Sequence, residues 1–182
     1  ASEDLMETVL SRGHTNIAVF MLKNVSLPDS GDHFSLTNDQ RLNGFNKSLK
    51  RYGLAFGNHT GITVCHSEVT PESGRLAARD VLSRAKSPSA IMCLADIQAI
   101  GVYEECAKRG LSIPHDVSVV GFDDIPFAVH MAPPLTTLHQ PGYEKGELAA
   151  ETLVRMINKQ PVKSVCMDTS VIVRSSLGSC IQ

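Results

Sequence analysis

Apolar residues along the chain follow two alternating rhythms. Some recur at intervals of three and four, as on one face of a helix, and others run continuously for several residues, as in a strand buried on both faces. Leu5, Met6, Val9 and Leu10 form a helix face that Gly13 ends, and Ile17 to Leu22 then reads as a buried strand. The polar stretch 23–38 is expected to be a loop. Leu42, Phe45, Leu49 and Tyr52 predict the next helix, with Lys50 and Arg51 in its last turn before Gly53, where basic groups meet the negative end of the helix dipole. Ile62 to Cys65 is a second strand. Thr70 can cap the following helix, Pro71 suits its first turn, and Ala78, Val81, Leu82 and Ala85 form its inner face. Strand 90–95, helix 97–109 (inner face Ala99, Val102, Tyr103, Cys106) and strand 117–120 continue the alternation.

Strands joined through helices imply an α/β fold with a parallel, doubly wound sheet, because a helical crossover returns the chain in the same direction. Such sheets bind ligands outside the carboxyl ends of their strands. After Gly121 the rhythm changes. Asp123-Asp124 and a proline-rich stretch to Pro134 lead to Leu135-Thr136-Thr137-Leu138, then to a helix over 143–158 with Ala149, Leu153, Met156 and Ile157 as its stripe. Short β-like runs follow at 165–167 and 171–173.

Composition narrows the function. A formal net charge of -2 and a pI near 6.4 provide no field to hold a phosphate backbone, so this segment by itself is not expected to grip DNA. The five cysteines are odd in number, widely spaced and mostly set in apolar runs, the pattern of buried free thiols in a reducing compartment. No apolar run approaches a membrane span, and Ala1-Ser2-Glu3-Asp4 has neither the charged nor the hydrophobic region of a signal peptide. The expectation is a cytoplasmic protein without membrane contact. Common hydrolase, metalloprotease and phosphate-loop motifs are absent, and the seven histidines show no ligand spacing, so neither an enzyme, a metal site nor a cofactor is expected.

Polar and charged groups do gather at the predicted carboxyl ends of strands: Arg41 after the first loop, His66 and Glu68, Asp96, then Asp123 and Asp124. Carboxylates accept from hydroxyl or ring N–H groups while a guanidinium donates in a fixed fork, a combination suited to a polyhydroxylated or heterocyclic ligand. Each position has a plainer alternative. Asp96 stands where an Asp caps a helix, Arg41 can be a solvated helix residue, and Asp123-Asp124 can be a turn.

Four stretches carry a family resemblance: 13–18 (Gly-His-Thr-Asn-Ile-Ala), 41–45 (Arg-Leu-Asn-Gly-Phe), 113–126 (Ile-Pro-His-Asp-Val-Ser-Val-Val-Gly-Phe-Asp-Asp-Ile-Pro) and 134–141 (Pro-Leu-Thr-Thr-Leu-His-Gln-Pro). In order and content they resemble the effector-binding domain of LacI/GalR-type transcription regulators, and 172–176 (Ile-Val-Arg-Ser-Ser) is similar to that family's last strand. The resemblance implies a periplasmic-binding-protein-like lobe over 1–134 and 161–182. It also implies a crossover segment, 135–160, belonging to a first lobe that is largely absent, as is the helix-turn-helix through which the family reads operator DNA. It further implies a homodimer and a sugar, nucleoside or purine-like effector that modulates operator binding. Arg41 and Asp123 match effector-contacting positions, and Gln140 lies in the family's hinge strand. Where the family often has Asn-Asp, this chain has Ala95-Asp96, which removes an amide and leaves Asp96 as the polar candidate there. With 5% aromatic residues and no Trp, no stacking platform for a ligand is evident. The alternative reading is an exported sugar-binding receptor of a transporter, which shares the fold. The stripe of helix 143–158 is expected to need cover, from the absent lobe or by self-association.

Overall fold

The computed structural model of the chain describes residues 1–22, 33–57 and 61–180. Helix α1 (Ser2–Leu10) leads to β1 (Ile17–Leu22), α2 (His33–Arg51) to β2 (Ile62–Ser67), α3 (Pro71–Val81) to β3 (Ala90–Cys93) and α4 (Asp96–Arg109) to β4 (Ser118–Asp123). A 3-10 turn at Ala128–His130, β5 (Thr136–His139), α5 (Gly142–Ile157) and β6 (Ser170–Ile172) complete the order.

The strands form one sheet in the order β2-β1-β3-β4-β5-β6, parallel throughout except for β6, which runs antiparallel to β5 with Thr137 opposite Ile172. Successive side chains of a strand face opposite sides, so β1 feeds two cores. Ile17, Val19 and Met21 join Leu5, Met6 and Val9 of α1 and Phe45 and Leu49 of α2; Ala18 and Phe20 join Ala78 and Val81 of α3 and Ala99, Val102 and Cys106 of α4. The sheet is therefore covered by a helix pair on each face, which is why its central strands read as unbroken apolar runs.

Local signals behave as their chemistry dictates. Thr70 Oγ1 accepts from the Ser73 N–H at 3.1 Å with Pro71 in the first turn of α3, and α4 ends at Gly110 in the left-handed conformation (φ 70°). Helices α3 and α4 touch through glycine: an added Cβ at Gly101 would lie 1.8 Å from the Pro71 carbonyl oxygen, and one at Gly74 2.1 Å from that of Gln98.

Two expectations need correction, and one of them lies partly outside the described residues. Residues 33–38, expected to be loop, belong to α2; within that turn Asn38 is buried and its Nδ2 donates to the Leu22 carbonyl at 2.9 Å, so docking against β1 rather than apolar spacing extends the helix. The rest of that expected loop, 23–32, falls outside the described residues. The β-like run 165–167 forms no strand: its backbone meets no neighbouring strand to close a hydrogen-bond ladder, and a strand without a partner does not hold. No residue of α5 is buried. Leu153 and Met156 are each 57% exposed and Ile157 71%, and a groove of about 690 Å³ runs between this helix and residues 163–169.

Candidate functional site

Strand order reverses at β1, which pairs with β2 on one side and β3 on the other, and doubly wound sheets open a crevice at the carboxyl ends of strands where this happens. Arg41 of α2 projects to that point. Its Nη1 donates to the Leu94 carbonyl just past β3 at 3.3 Å, and its guanidinium carbon lies 4.2 Å from the centroid of the Phe122 ring in β4. The planar cation thus rests on an aromatic face while part of its fork stays free to donate. Burial lowers its affinity for the proton, and the charge of Asp123 restores part of it.

Asp123 ends β4 and is half-buried. Gln140, just beyond β5, donates from Nε2 to Asp123 Oδ1 at 2.6 Å. Burial pushes the Asp123 carboxyl above its ordinary range, the nearby Asp96 adds to this, and the Gln140 hydrogen bond and the charges of Arg41 and Lys145 oppose it. The backbone is unusual here: Asp123 has φ 120° and Asp124 φ 59°, a region L-residues seldom enter.

Asp124 turns away from Asp123 and binds elsewhere. Its Oδ1 accepts from Arg174 Nη2 at 2.7 Å and its Oδ2 faces His139 Nδ1 at 2.9 Å, while Arg174 Nη1 donates to the Leu135 carbonyl at 2.7 Å. The two carboxylates therefore part: Asp123 lies at the carboxyl end of β4 beside Gln140, and Asp124 ties His139 of β5 to Arg174, two residues beyond β6.

Asp96 does not reach the crevice surface. Its side chain is fully buried, Oδ1 accepting from Thr137 Oγ1 at 2.7 Å and Oδ2 from the Ile125 N–H at 2.9 Å. Both oxygens, at the position expected to contact a ligand, are bonded to β5 and to the turn after β4. Burial is the main cause that raises its carboxyl above the usual range, with the bonds to Thr137, Ile125 and Phe122 opposing. Ala95 beside it is likewise buried, so no side-chain donor or acceptor enters from the end of β3. His66 and Glu68 lie at the end of β2 on the far edge of the sheet.

Arg41, Asp123 and Gln140 thus converge, whereas Asp96 stands behind them. Phe122 is the aromatic support that composition did not reveal; its only sequence signal is its place directly before Asp123. Thr137 and Arg174 lie in the stretches 134–141 and 172–176 that carry the resemblance, but no local pattern marked their side chains as supports for the Asp pair. Among the described residues, no group of three or more His, Cys, Asp or Glu side chains is placed to hold a metal ion, and no helix is long and apolar enough to cross a membrane.

Comparison with known proteins follows the same lines. The family model described as periplasmic binding protein-like domain matches residues 6–177. The chain is 33% identical over 141 residues to the ribose operon repressor of Haemophilus influenzae, covering 76% of this chain and 42% of that protein. It is 31% identical over 177 residues to the HTH-type transcriptional repressor PurR of Glaesserella parasuis, covering 93% of this chain and 48% of the relative. A LacI family transcriptional regulator from Enterococcus faecium, solved with bound ribose, superposes with a TM-score of 0.85 over 99% of this chain and 63% of its own, at 24% identity, a likeness of fold. The chain spans less than half the length of those two repressors.

Proposed function

The chain belongs to the periplasmic binding protein-like domain family, its relatives being LacI-type repressors, and from this we infer that it is the effector-sensing part of a transcription regulator. The observation that carries the reading is the convergence of Arg41, stacked on Phe122, with Asp123, braced by Gln140, at the switch point of the sheet. A fork of fixed donors facing a carboxylate acceptor recognises a small molecule with neighbouring hydroxyl or ring N–H groups; sugars, nucleosides and purine-like compounds share that chemistry. Arg41, Asp123 and Gln140 are the residues that contact it. The chain binds and does not turn over, and it works in the cytoplasm, where repressors act.

Binding shifts an equilibrium between conformations that the operator-binding part reads, so the effector alters operator affinity by its differential affinity for the two states. Operator contact is made by a helix-turn-helix outside this chain, in a homodimer. Of the expected crossover 135–160, β5 stays in this sheet with Leu135 and Leu138 buried, and α5 (Gly142–Ile157) is the arm that seats on a further lobe of the full-length protein. Supporting this are the exposed apolar stripe of α5, the groove behind it, and relatives more than twice as long as the stretch matched.

The test is to titrate the full-length protein with D-ribose, cellobiose, adenosine and adenine while following operator fragments by fluorescence anisotropy, alongside the Arg41→Ala variant. A change in operator affinity that Arg41→Ala abolishes supports the reading. A response that survives the substitution overturns the assigned site.

A further inference from the structure

The buried Asp96 presents a question that the proposed site does not answer. An Asp in the first turn of a helix ordinarily serves that helix, yet its bonds go elsewhere: the N-cap of α4 is Ala95, without a side-chain cap, and the oxygens of Asp96 reach Thr137 of β5 and the Ile125 N–H beyond β4. The Thr137 hydroxyl, donating to Asp96, in turn accepts from the Asp124 N–H at 3.3 Å. Two consecutive amides of the turn, 124 and 125, are therefore held by one carboxylate and the hydroxyl bonded to it. Gly121 makes room for this, since a Cβ there would fall 2.0 Å from Asp96 Oδ1. The segment so anchored contains the two positive-φ aspartates. Non-glycine residues in such conformations persist only where surrounding contacts over-determine them.

We propose that Asp96 is a positioning residue for the ligand site, holding the Asp123–Asp124 turn from behind so that Asp123 is presented to the crevice. It touches no ligand. This rests on the reading of Arg41 and Asp123 as ligand contacts. Its role is to keep a strained backbone in the one arrangement that sends the Asp123 carboxylate toward Gln140 and Arg41 and the Asp124 carboxylate toward Arg174. A site held loosely by about 1 Å loses much of its affinity, which gives such a support leverage on binding.

The test pairs Asp96→Asn with Thr137→Val and Thr137→Ser in the full-length protein. Amide hydrogen exchange is read residue by residue, and the Kd for D-ribose, cellobiose, adenosine and adenine by calorimetry. Asp96→Asn keeps the shape but puts a donor NH2 in place of one of the two oxygens that accept from Thr137 and the Ile125 N–H, Thr137→Val removes the hydroxyl, and Thr137→Ser retains it. We expect Asp96→Asn and Thr137→Val to speed exchange of the 124 and 125 amides by about tenfold or more, with β1 and β3 amides unchanged. The same two variants are expected to raise Kd about tenfold, and Thr137→Ser to match wild type in both respects. Asp123→Asn, by contrast, weakens binding and leaves the 124 and 125 amides as they were. If Asp96→Asn does not fold, the two Thr137 variants decide the matter. Exchange that rises uniformly over the sheet, or an unchanged Kd despite loosened amides, overturns the proposal. If no probe binds wild type, the reading of the ligand site falls, and the exchange of the 124 and 125 amides alone supports or overturns the anchoring role.

Discussion

Replacing Gly121 by alanine puts one methyl group where the sheet leaves no space. The added carbon would sit 2.0 Å from Asp96 Oδ1 and 2.8 Å from Leu135 Cδ2. A long exposed side chain can swing away from such a clash, but Asp96 is fully buried with both oxygens hydrogen-bonded, and Leu135 is packed in the core beneath α4. Overpacking of a filled core costs roughly 1–3 kcal/mol. Displacing the carboxylate also breaks bonds to a charged group, worth about 1.5–3 kcal/mol each. If one such bond is lost and the clash partly relaxes, the variant is destabilised by about 3–4 kcal/mol, a large share of the 5–15 kcal/mol typical of a folded domain.

Urea denaturation followed by far-UV circular dichroism measures this directly. Two companions make the result interpretable. Gly146→Ala, in α5 where an added Cβ meets nothing within 4 Å, is expected to leave stability unchanged or raise it by about 0.5–1 kcal/mol, since glycine is a poor helix former. In an Asp96→Ala background the same Gly121→Ala change loses its main obstacle, so the two substitutions couple by more than about 1 kcal/mol. A Gly121→Ala protein within about 0.5 kcal/mol of wild type, or strict additivity with Asp96→Ala, would refute the packing argument, because surface-like tolerance of that size is incompatible with a filled site.

Other expectations can be checked on the same protein. His14 is buried, its Nδ1 beside Ser89 Oγ and its Nε2 donating to the Gly178 carbonyl, and burial holds its pKa below the ordinary 6.5. The unfolded chain therefore takes up the proton first: the ring costs nothing above about pH 6.5, and stability falls as pH drops through that value toward the folded-state pKa. His14→Gln should remove that part of the slope, and an unchanged pH dependence from pH 7 to 5 would count against it. Arg41→Lys keeps the charge but loses both the fork and the stacking on Phe122, so ligand affinity should drop about tenfold with little change in stability; equal binding by the two proteins in calorimetry removes the argument. Among the thiols, Cys166 is exposed, whereas Cys93 and Cys106 are buried, with pKa values pushed well above the ordinary range and up to about 11 respectively. Ellman's reagent at pH 8 should modify Cys166 rapidly and the other two only after unfolding; fast labelling of Cys93 in the native protein contradicts the fold.

The α/β alternation and most of its punctuation are written along the chain, because they depend on residues that are neighbours in it. Apolar runs such as Ile17–Leu22 report burial on both faces, the Thr70–Pro71 start of α3 and the Gly110 end of α4 report which amides and carbonyls need help, and helical crossovers leave a parallel sheet as the economical closure. Arg41 and Asp123 were legible as neighbours because the carboxyl ends of parallel strands share an edge. Pairings between segments far apart arise only when the chain folds. Gln140 braces Asp123 from 17 residues away, Arg174 reaches Asp124 across 50, and Asp96 takes its partners from 29 and 41 residues downstream. No local pattern distinguishes an Asp that caps its own helix from one that anchors another strand's turn; the difference lies in which amides the fold brings within 3 Å. The same holds for the run at 165–167, whose residues suit a strand but find no edge to join, and for α5, whose stripe records a need for burial that nothing among the described residues meets. Hydrogen bonds and burial are satisfied in space, and a chain declares in advance only those partners that lie within a few residues of one another.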